Sequence, residues 1–157
     1  MIGNNNNIHP SCVIGSHGFS FTKDTIRLPI PTDKTIIIGD DNFIASCTNI
    51  DQGVYENTII GNRNIIDSHV HISHDVIIGN DCEIDTGAIL LGHVILGDNV
   101  RICSGAIIHQ KVTIGNGSVL GANSYLRHDL PNEVIAYGTP AVIKENTKYG
   151  KYLESLK

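Results

Sequence analysis

Aliphatic residues recur every six positions along the chain, at Ile60, Ile66, Ile72, Ile78, Ile84, Leu90, Leu96, Ile102, Ile108, Ile114, Leu120 and Leu126. A strand alternates with period two and a helix repeats near 3.6, so an unbroken period of six belongs to neither element alone. Four places after the aliphatic, from Ile66 on, stands a small or β-branched side chain: Val70, Val76, Cys82, Ala88, Val94, Val100, Ala106, Val112, Ser118 and Ser124, with Leu130 ending the series. This is a hexapeptide repeat, the signature of a β-solenoid. Three hexads make one coil of eighteen residues, and coils stack at the β-sheet spacing of about 4.8 Å. The large residue fills the interior. The small one lets the chain turn inside a crowded core, where neither position is expected to accept a large polar group. Glycine follows the aliphatic at Gly61, Gly79, Gly97, Gly115 and Gly121, where the backbone bends with little room for a side chain.

The same lattice runs upstream through Ile2, Ile8 and Ile14, then Ile38, Ile44 and Ile50. Two interruptions break it. Residues Gly18 to Lys34, with Pro29, Pro31, Phe19 and Phe21, read as a projecting loop, and four extra residues fall around Tyr55, Glu56 and Asn57. The pattern predicts an all-β fold: a single parallel β-helix of about six coils over residues 1–130, with 18–36 projecting, and a C-terminal extension over 131–157. Within the extension, Lys144 to Lys157 alternates in charge and reads as a short helix capping the solenoid.

Composition narrows the classes. A chain of 157 residues fits one domain, and no apolar run is long enough for a membrane span. No secretory signal pattern opens the sequence, so the expected compartment is the cytoplasm. Cys12, Cys47, Cys82 and Cys103 lack metal-ligand spacing and read as core thiols in a reducing environment. A formal charge of −5 argues against a nucleic-acid partner, which needs a basic face.

Histidine stands apart from the lattice. His69, His71, His74, His93 and His109 fall in the most regular stretch, none at an aliphatic position. With eighteen residues per coil, residues 74, 92 and 110 form one column and Asp75, His93 and Lys111 the next. His71 closes the preceding hexad at the same corner. Any one of these histidines alone reads as solvated, or as hydrogen bonded in a subunit interface; four at one corner point to chemistry.

The stretch H-I-S-H-D-V at His71–Val76, followed by L-G-H-V at Leu91–Val94 and I-H-Q at Ile108–Gln110, resembles the UDP-N-acetylglucosamine acyltransferases, left-handed parallel β-helix enzymes of lipid A synthesis. The segments G-S-H-G-F-S-F at Gly15–Phe21 and T-N-I-D-Q-G-V at Thr48–Val54 resemble the related UDP-3-O-acyl-glucosamine N-acyltransferases. V-I-A-Y-G-T-P-A-V-I-K at Val134–Lys144 is similar to the ending of coenzyme A-dependent sugar acetyltransferases. The resemblance supplies the left hand of the coil and a homotrimer with its sites in the clefts between neighbours. It implies His74 as general base, Gly92 as the backbone N–H donor to the oxyanion, and His71, His93 and His109 as further residues of the substrate cleft. Asp75 is a candidate for orienting an imidazole, although neighbours in a strand point to opposite faces. Asp51 is a candidate sugar contact. Lys111, Gly138, Thr139, Pro140 and Lys144 are candidates for holding the donor.

The chemistry follows. An attacking amine or hydroxyl must lose a proton, which an unperturbed imidazole, with a pKa of roughly 6.5, accepts at neutral pH. The tetrahedral oxyanion needs a donor aimed at it. No acyl-enzyme is expected, because the cysteines lie outside the histidine columns.

Three functions stand as expectations. The first is transfer of an acetyl or short acyl group from acetyl-CoA to a sugar or nucleotide sugar; the chain lacks the additional domains of the lipid A enzymes, and its compact size suits small sugar acetyltransferases. The second keeps the reaction with acyl carrier protein as donor, in the lipid A manner. The third is a γ-carbonic anhydrase-like zinc enzyme. Its G-H-x-x-x-x-H ligand element has Thr86 and Leu91 here in place of histidine, and no metal is expected.

Overall fold

This computed structural model describes residues 1–146, and of Glu145 and Asn146 the backbone only. The chain winds as a left-handed parallel β-helix of about six turns. His71–Ile72, Ile77–Ile78 and Glu83–Ile84 are the three sides of one coil, each a two-residue strand in a different parallel sheet. His71 pairs with Ile89 and Ile89 with Ile107, so the coil is eighteen residues.

The lattice residues make the core. From Ile60 to Leu126 all twelve are at most 1 % exposed, and the small residues four places on are buried with them. One expectation needs correcting. Asn42 and Asn64 occupy interior corner positions and are fully buried, so these positions do accept a polar group. Each amide is satisfied by the backbone: Asn64 Oδ1 accepts from Cys82 N–H at 2.8 Å while its Nδ2 donates to Gly79 O at 3.0 Å. Asn42 repeats the arrangement with Asn64 N–H and Gly61 O. A buried amide is tolerated when its donors and acceptor are matched.

The corners have a fixed conformation. Three places after each lattice aliphatic from Ile60 to Leu120 the backbone adopts φ between 52° and 71°, at Arg63, His69, Asp75, Asp81, His93, Asn99 and Lys111 among others. Where glycine stands two residues earlier, at Gly61, Gly79 and Gly97, the reason is stacking. A Cβ on Gly79 would lie 2.7 Å from the carbonyl carbon of Gly97 in the next coil, so stacking excludes a side chain there.

Both interruptions of the lattice enter at one corner. Pairing offsets are thirty-six residues between Val13 and Asn49 and twenty-two between Asn49 and His71, against eighteen afterwards. Residues 17–35 leave the helix after the strand Val13–Ser16, and residues 52–57 leave it after Asn49–Asp51, directly above. The first excursion folds on itself: Thr22 N–H donates to Leu28 O, Ile30 N–H donates to Ser20 O, and Phe21 bridges Pro29.

At the other end, Val134–Gly138 adds to the sheet beside Val119–Leu120, and Ala141–Asn146 returns antiparallel to it. Residues 144–146 are therefore strand and not the start of a helix. Alternating charge suits an edge strand as well as a helix face, and the last coil offers unpaired backbone groups to bond. The remainder of the expected helix lies outside the described residues. The thiols also divide: Cys82 and Cys103 are buried and Cys12 is partly covered, but Cys47 sits exposed on a corner with φ 58°, so it is not a core thiol. No helix among the described residues is long and apolar enough to cross a membrane.

Replacing a fully buried lattice residue tests this packing. Leu90→Ala opens a void between stacked coils and is expected to cost about 2–5 kcal/mol, read by chemical denaturation.

Candidate active site

The corner between the sheet containing His71–Ile72 and the sheet containing Ile77–Ile78 carries the histidines. The positive φ of Asp75, 62°, reverses the chain just after His74, so the two side chains meet instead of pointing apart. His74 Nδ1 lies 2.7 Å from Asp75 Oδ2. The other carboxylate oxygen, Oδ1, accepts backbone N–H groups of Val54, Tyr55 and Glu56 at 2.8, 3.0 and 2.9 Å.

Asp75 is 3 % exposed. Burial alone would push its carboxyl pKa up; the N–H of Glu56, the His74 imidazole and the N–H groups of Val54 and Tyr55 together outweigh burial and lower it. The group is thus a carboxylate that only accepts hydrogen bonds, which puts the proton of neutral His74 on Nδ1 and leaves Nε2 free to accept another. Its neighbour on the second column, His93, places Nε2 3.4 Å from the same Asp75 oxygen.

Gly92 stacks directly on His74. A Cβ there would stand 3.0 Å from Cε1 and 3.2 Å from Nε2 of the imidazole, so glycine brings the backbone against the reactive edge of the ring. At the next corner, Asn62, Asn80 and Asp98 each have their N–H capped by the side chain one coil on. The histidine corner lacks that ladder, and Gly92 N–H makes no hydrogen bond among the described residues.

The two excursions wall this corner. Tyr55 stacks on His93 with ring centroids 5.8 Å apart and lies edge-on to His74 at 6.5 Å. Gly18 packs against His74 so closely that a Cβ would meet the imidazole's own Cβ at 2.5 Å. Ser20 Oγ and Tyr55 OH, 3.2 Å apart, join the excursions. His74 and His93 keep 15 % and 32 % of their side chains open.

The structure thus brings His74, Asp75, Gly92 and His93 together. His71 and Asp51 form an adjoining group. Asn49 Nδ2 donates to Asp51 Oδ1 at 2.8 Å and lies 3.1 Å from His71 Nδ1, while His71 Nε2 is 3.0 Å from Ser73 Oγ and 3.7 Å from Asp51 Oδ2. His109 stands two coils above the level of His74, about 10 Å at sheet spacing, with Nδ1 3.1 Å from Gln110 O and its ring beside Tyr125. His69 turns out at a different corner.

Lys111 lies exposed above His93, its N–H donating to Gly92 O at 3.0 Å. Gly138, Thr139 and Pro140 are elsewhere. They turn the chain at the corner of Asn123, where Thr139 Oγ1 donates to Asn123 O and Gly138 N–H to Ser124 Oγ, and Lys144 lies 5.5 Å over the Tyr137 ring. Within one protomer these residues do not meet the histidines. Tyr55 and Gly18, which no motif marked as site residues, do, and Ser20 reaches them through Tyr55. The signal for them was arithmetic: both insertions follow hexads of the sheet that leads into the histidine corner.

His74, Asp75 and His93 each offer a ligand atom within 4.8 Å of the others, a spacing that can hold a metal ion. Both Asp75 oxygens are already engaged, however, and the arrangement is that of an imidazole oriented by a carboxylate. Burial pushes the Cys82 thiol up to about 12, which leaves it a poor nucleophile at neutral pH.

Known proteins share the repeat and the coil. The model of the bacterial transferase hexapeptide repeat matches residues 57–92, 75–110 and 93–128. A UDP-3-O-acylglucosamine N-acyltransferase of Chromohalobacter salexigens is 44% identical over 70 residues, covering 44% of this chain and 20% of its own length. One from Rhodopseudomonas palustris is 40% identical over 76 residues, 48% of this chain and 21% of that protein. Among solved structures, a UDP-N-acetylglucosamine acyltransferase superposes with TM-score 0.86 at 30% identity over 99% of this chain and 58% of that one. That of Bacteroides fragilis gives 0.85 at 28% over 99% and 60%. The chain thus spans about a fifth of the curated relatives' length and about three fifths of the solved chains. The chain thus carries the bacterial transferase hexapeptide repeat over residues 57–128, winds as a left-handed β-helix and resembles the UDP-sugar acyltransferases.

Proposed function

We propose that the protein transfers an acyl group from a thioester to a hydroxyl or amino group of a nucleotide sugar, with His74 as general base. The observation that carries this is the His74–Asp75 hydrogen bond beside an unbonded Gly92 N–H at an open corner. The acceptor gives its proton to His74 Nε2 as it attacks the thioester carbonyl. Imidazolium forms against the Asp75 carboxylate, Gly92 N–H donates to the developing oxyanion, and collapse expels the thiolate, which takes the proton back from His74. Transfer is direct, with no acyl-enzyme.

Of the expected readings, acetyl-CoA-dependent transfer to a sugar or nucleotide sugar is less well supported by the relatives than its alternative, an acyl-carrier-protein-dependent acyltransferase of the lipid A type. Acyl carrier protein and coenzyme A remain the two donor classes. Lys111, above His93, is placed to meet a donor phosphate. Gly138 to Pro140 and Lys144 reach the site only from a neighbouring protomer, and Asp51 acts on the acceptor through His71.

A homotrimer supplies that neighbour. Phe43 and Ile65 on one flat face and Ile95 on another are 45 %, 51 % and 40 % exposed, apolar surface that subunit packing would cover. Light scattering is expected to give three times the chain mass of 17.0 kDa; a monomer would remove the tail residues from the site.

The function is tested by incubating the protein with UDP-N-acetylglucosamine or UDP-glucosamine derivatives and a matched pair of donors, acyl-CoA and acyl-acyl carrier protein, and weighing the products. An acylated nucleotide sugar is expected. Acylation of free sugars alone would restore the smaller acetyltransferase reading, and stoichiometric zinc with carbon dioxide hydration in place of transfer would favour the carbonic anhydrase reading.

A further inference from the structure

The excursion of residues 17–35 carries a second group of residues that the acyl-transfer chemistry leaves unused. Its folded-back tip holds a groove of about 460 Å³ lined by Phe19, Phe21, Thr22, Lys23 and Arg27. Phe19 is 87 % exposed, and Phe21 meets it edge-on with centroids 5.1 Å apart, which leaves a face of Phe19 bare to solvent. Lys23 and Arg27 both lie within the turn that the Thr22–Leu28 hydrogen bond closes. Neither makes an ion pair among the described residues, in a protein whose net charge is −5.

A bare aromatic face next to two unpaired cations is complementary to one kind of ligand: a planar base joined to a chain of phosphates. Rings stack on bases without regard to sequence, and guanidinium and ammonium groups bind phosphate through charge-assisted hydrogen bonds. The excursion also begins at the reacting centre. Gly18 lies on His74, Phe19 follows it in the chain, and Ser20 contacts Tyr55, which stacks on His93. Lys23 stands five residues from Gly18, within about 18 Å of chain, so an extended ligand can keep one end at His74 and the other on the tip.

We infer that the tip formed by Phe19, Phe21, Lys23 and Arg27 is the subsite for the nucleoside diphosphate part of the acceptor, with the base on Phe19 and the diphosphate between Lys23 and Arg27. This rests on the nucleotide-sugar reading and adds to it a place for the nucleotide. The excursion then selects nucleotide sugars over free sugars, while the corner performs the transfer.

The test is calorimetric titration of the full chain at low salt with UDP, uridine and inorganic pyrophosphate, alongside KM for the UDP-sugar. The double variant Lys23→Ala, Arg27→Ala is expected to weaken UDP by about 10- to 100-fold and to lose pyrophosphate. Phe19→Ala is expected to weaken UDP and uridine about tenfold and to leave pyrophosphate within about twofold. His74→Ala should bind UDP as the wild type does. If the wild type acylates a UDP-sugar and the tip variants keep its KM and UDP affinity, the inference is wrong and the function stands. If the tip variants lose UDP but the wild type acylates no nucleotide sugar, the subsite stands and the function is wrong. A wild type that neither binds UDP nor acylates its sugar ends both.

Discussion

His74→Ala is expected to lower kcat for acyl transfer by about 10²–10⁴-fold, the range for removing a positioned general base, with little change in KM for the acceptor. The expectation follows from geometry: Asp75 fixes the proton on Nδ1, so Nε2 is the side chain's open basic site, and it faces Gly92. Stopped-flow or discontinuous product assays read the loss directly. The variant is expected to keep its fold, because His74 lies outside the aliphatic lattice and its ring is not part of the hydrophobic core. A variant that folds and turns over at the wild-type rate removes His74 from the mechanism.

Substitution of Asp75 is expected to act on both stability and rate. Asp75→Ala leaves three N–H groups of residues 54–56 and two imidazoles without their shared acceptor, at an expected cost of about 3–5 kcal/mol for breaking a buried charged cluster. Asp75→Asn separates the roles. Its amide oxygen can still accept the backbone N–H groups, but its NH₂ meets the Nδ1–H of His74 and drives the wrong tautomer, as in other carboxylate–imidazole pairs. It should lose rate by about 10²-fold or more while retaining most of the stability. The pH dependence has a definite sign. The folded-state pKa of Asp75 is depressed, so its contribution is complete above the unfolded value of about 3.9 and fades as pH falls below it through the folded value. Urea titrations of wild type and Asp75→Asn should therefore differ at pH 7 and converge in acid; a constant gap would show that the carboxylate's charge is not what matters.

The coil was legible because its cause is local. Ile72, Leu90 and Ile108 stack on one side of the prism, one to a coil, and a polar residue there would unstack neighbours, so the spacing alone reveals eighteen-residue coils and the 74/92/110 column. The exceptions obey hydrogen-bond rules that a hydrophobic pattern does not encode: Asn42 and Asn64 enter the core because each satisfies backbone groups of the adjoining coil. Strand alternation hides Asp75 for a related reason. Alternation in strands sends neighbours to opposite faces, but φ of 62° at the corner turns Asp75 back onto His74. Tyr55 and Gly18 come from insertions whose lengths are visible and whose paths are not; only their common point of departure could have been computed. The tail illustrates the limit of charge patterning, since Lys144 fits an exposed strand edge as readily as a helix face.

The central claim is that the imidazole of His74 takes the proton of the acceptor. A crystal structure of the protein with a UDP-sugar acceptor bound tests it most directly: the reacting hydroxyl or amine should lie within about 2.6–3.2 Å of His74 Nε2, near Gly92 N–H. An acceptor seated with its nucleophile at another corner of the prism, out of reach of that nitrogen, would contradict the account.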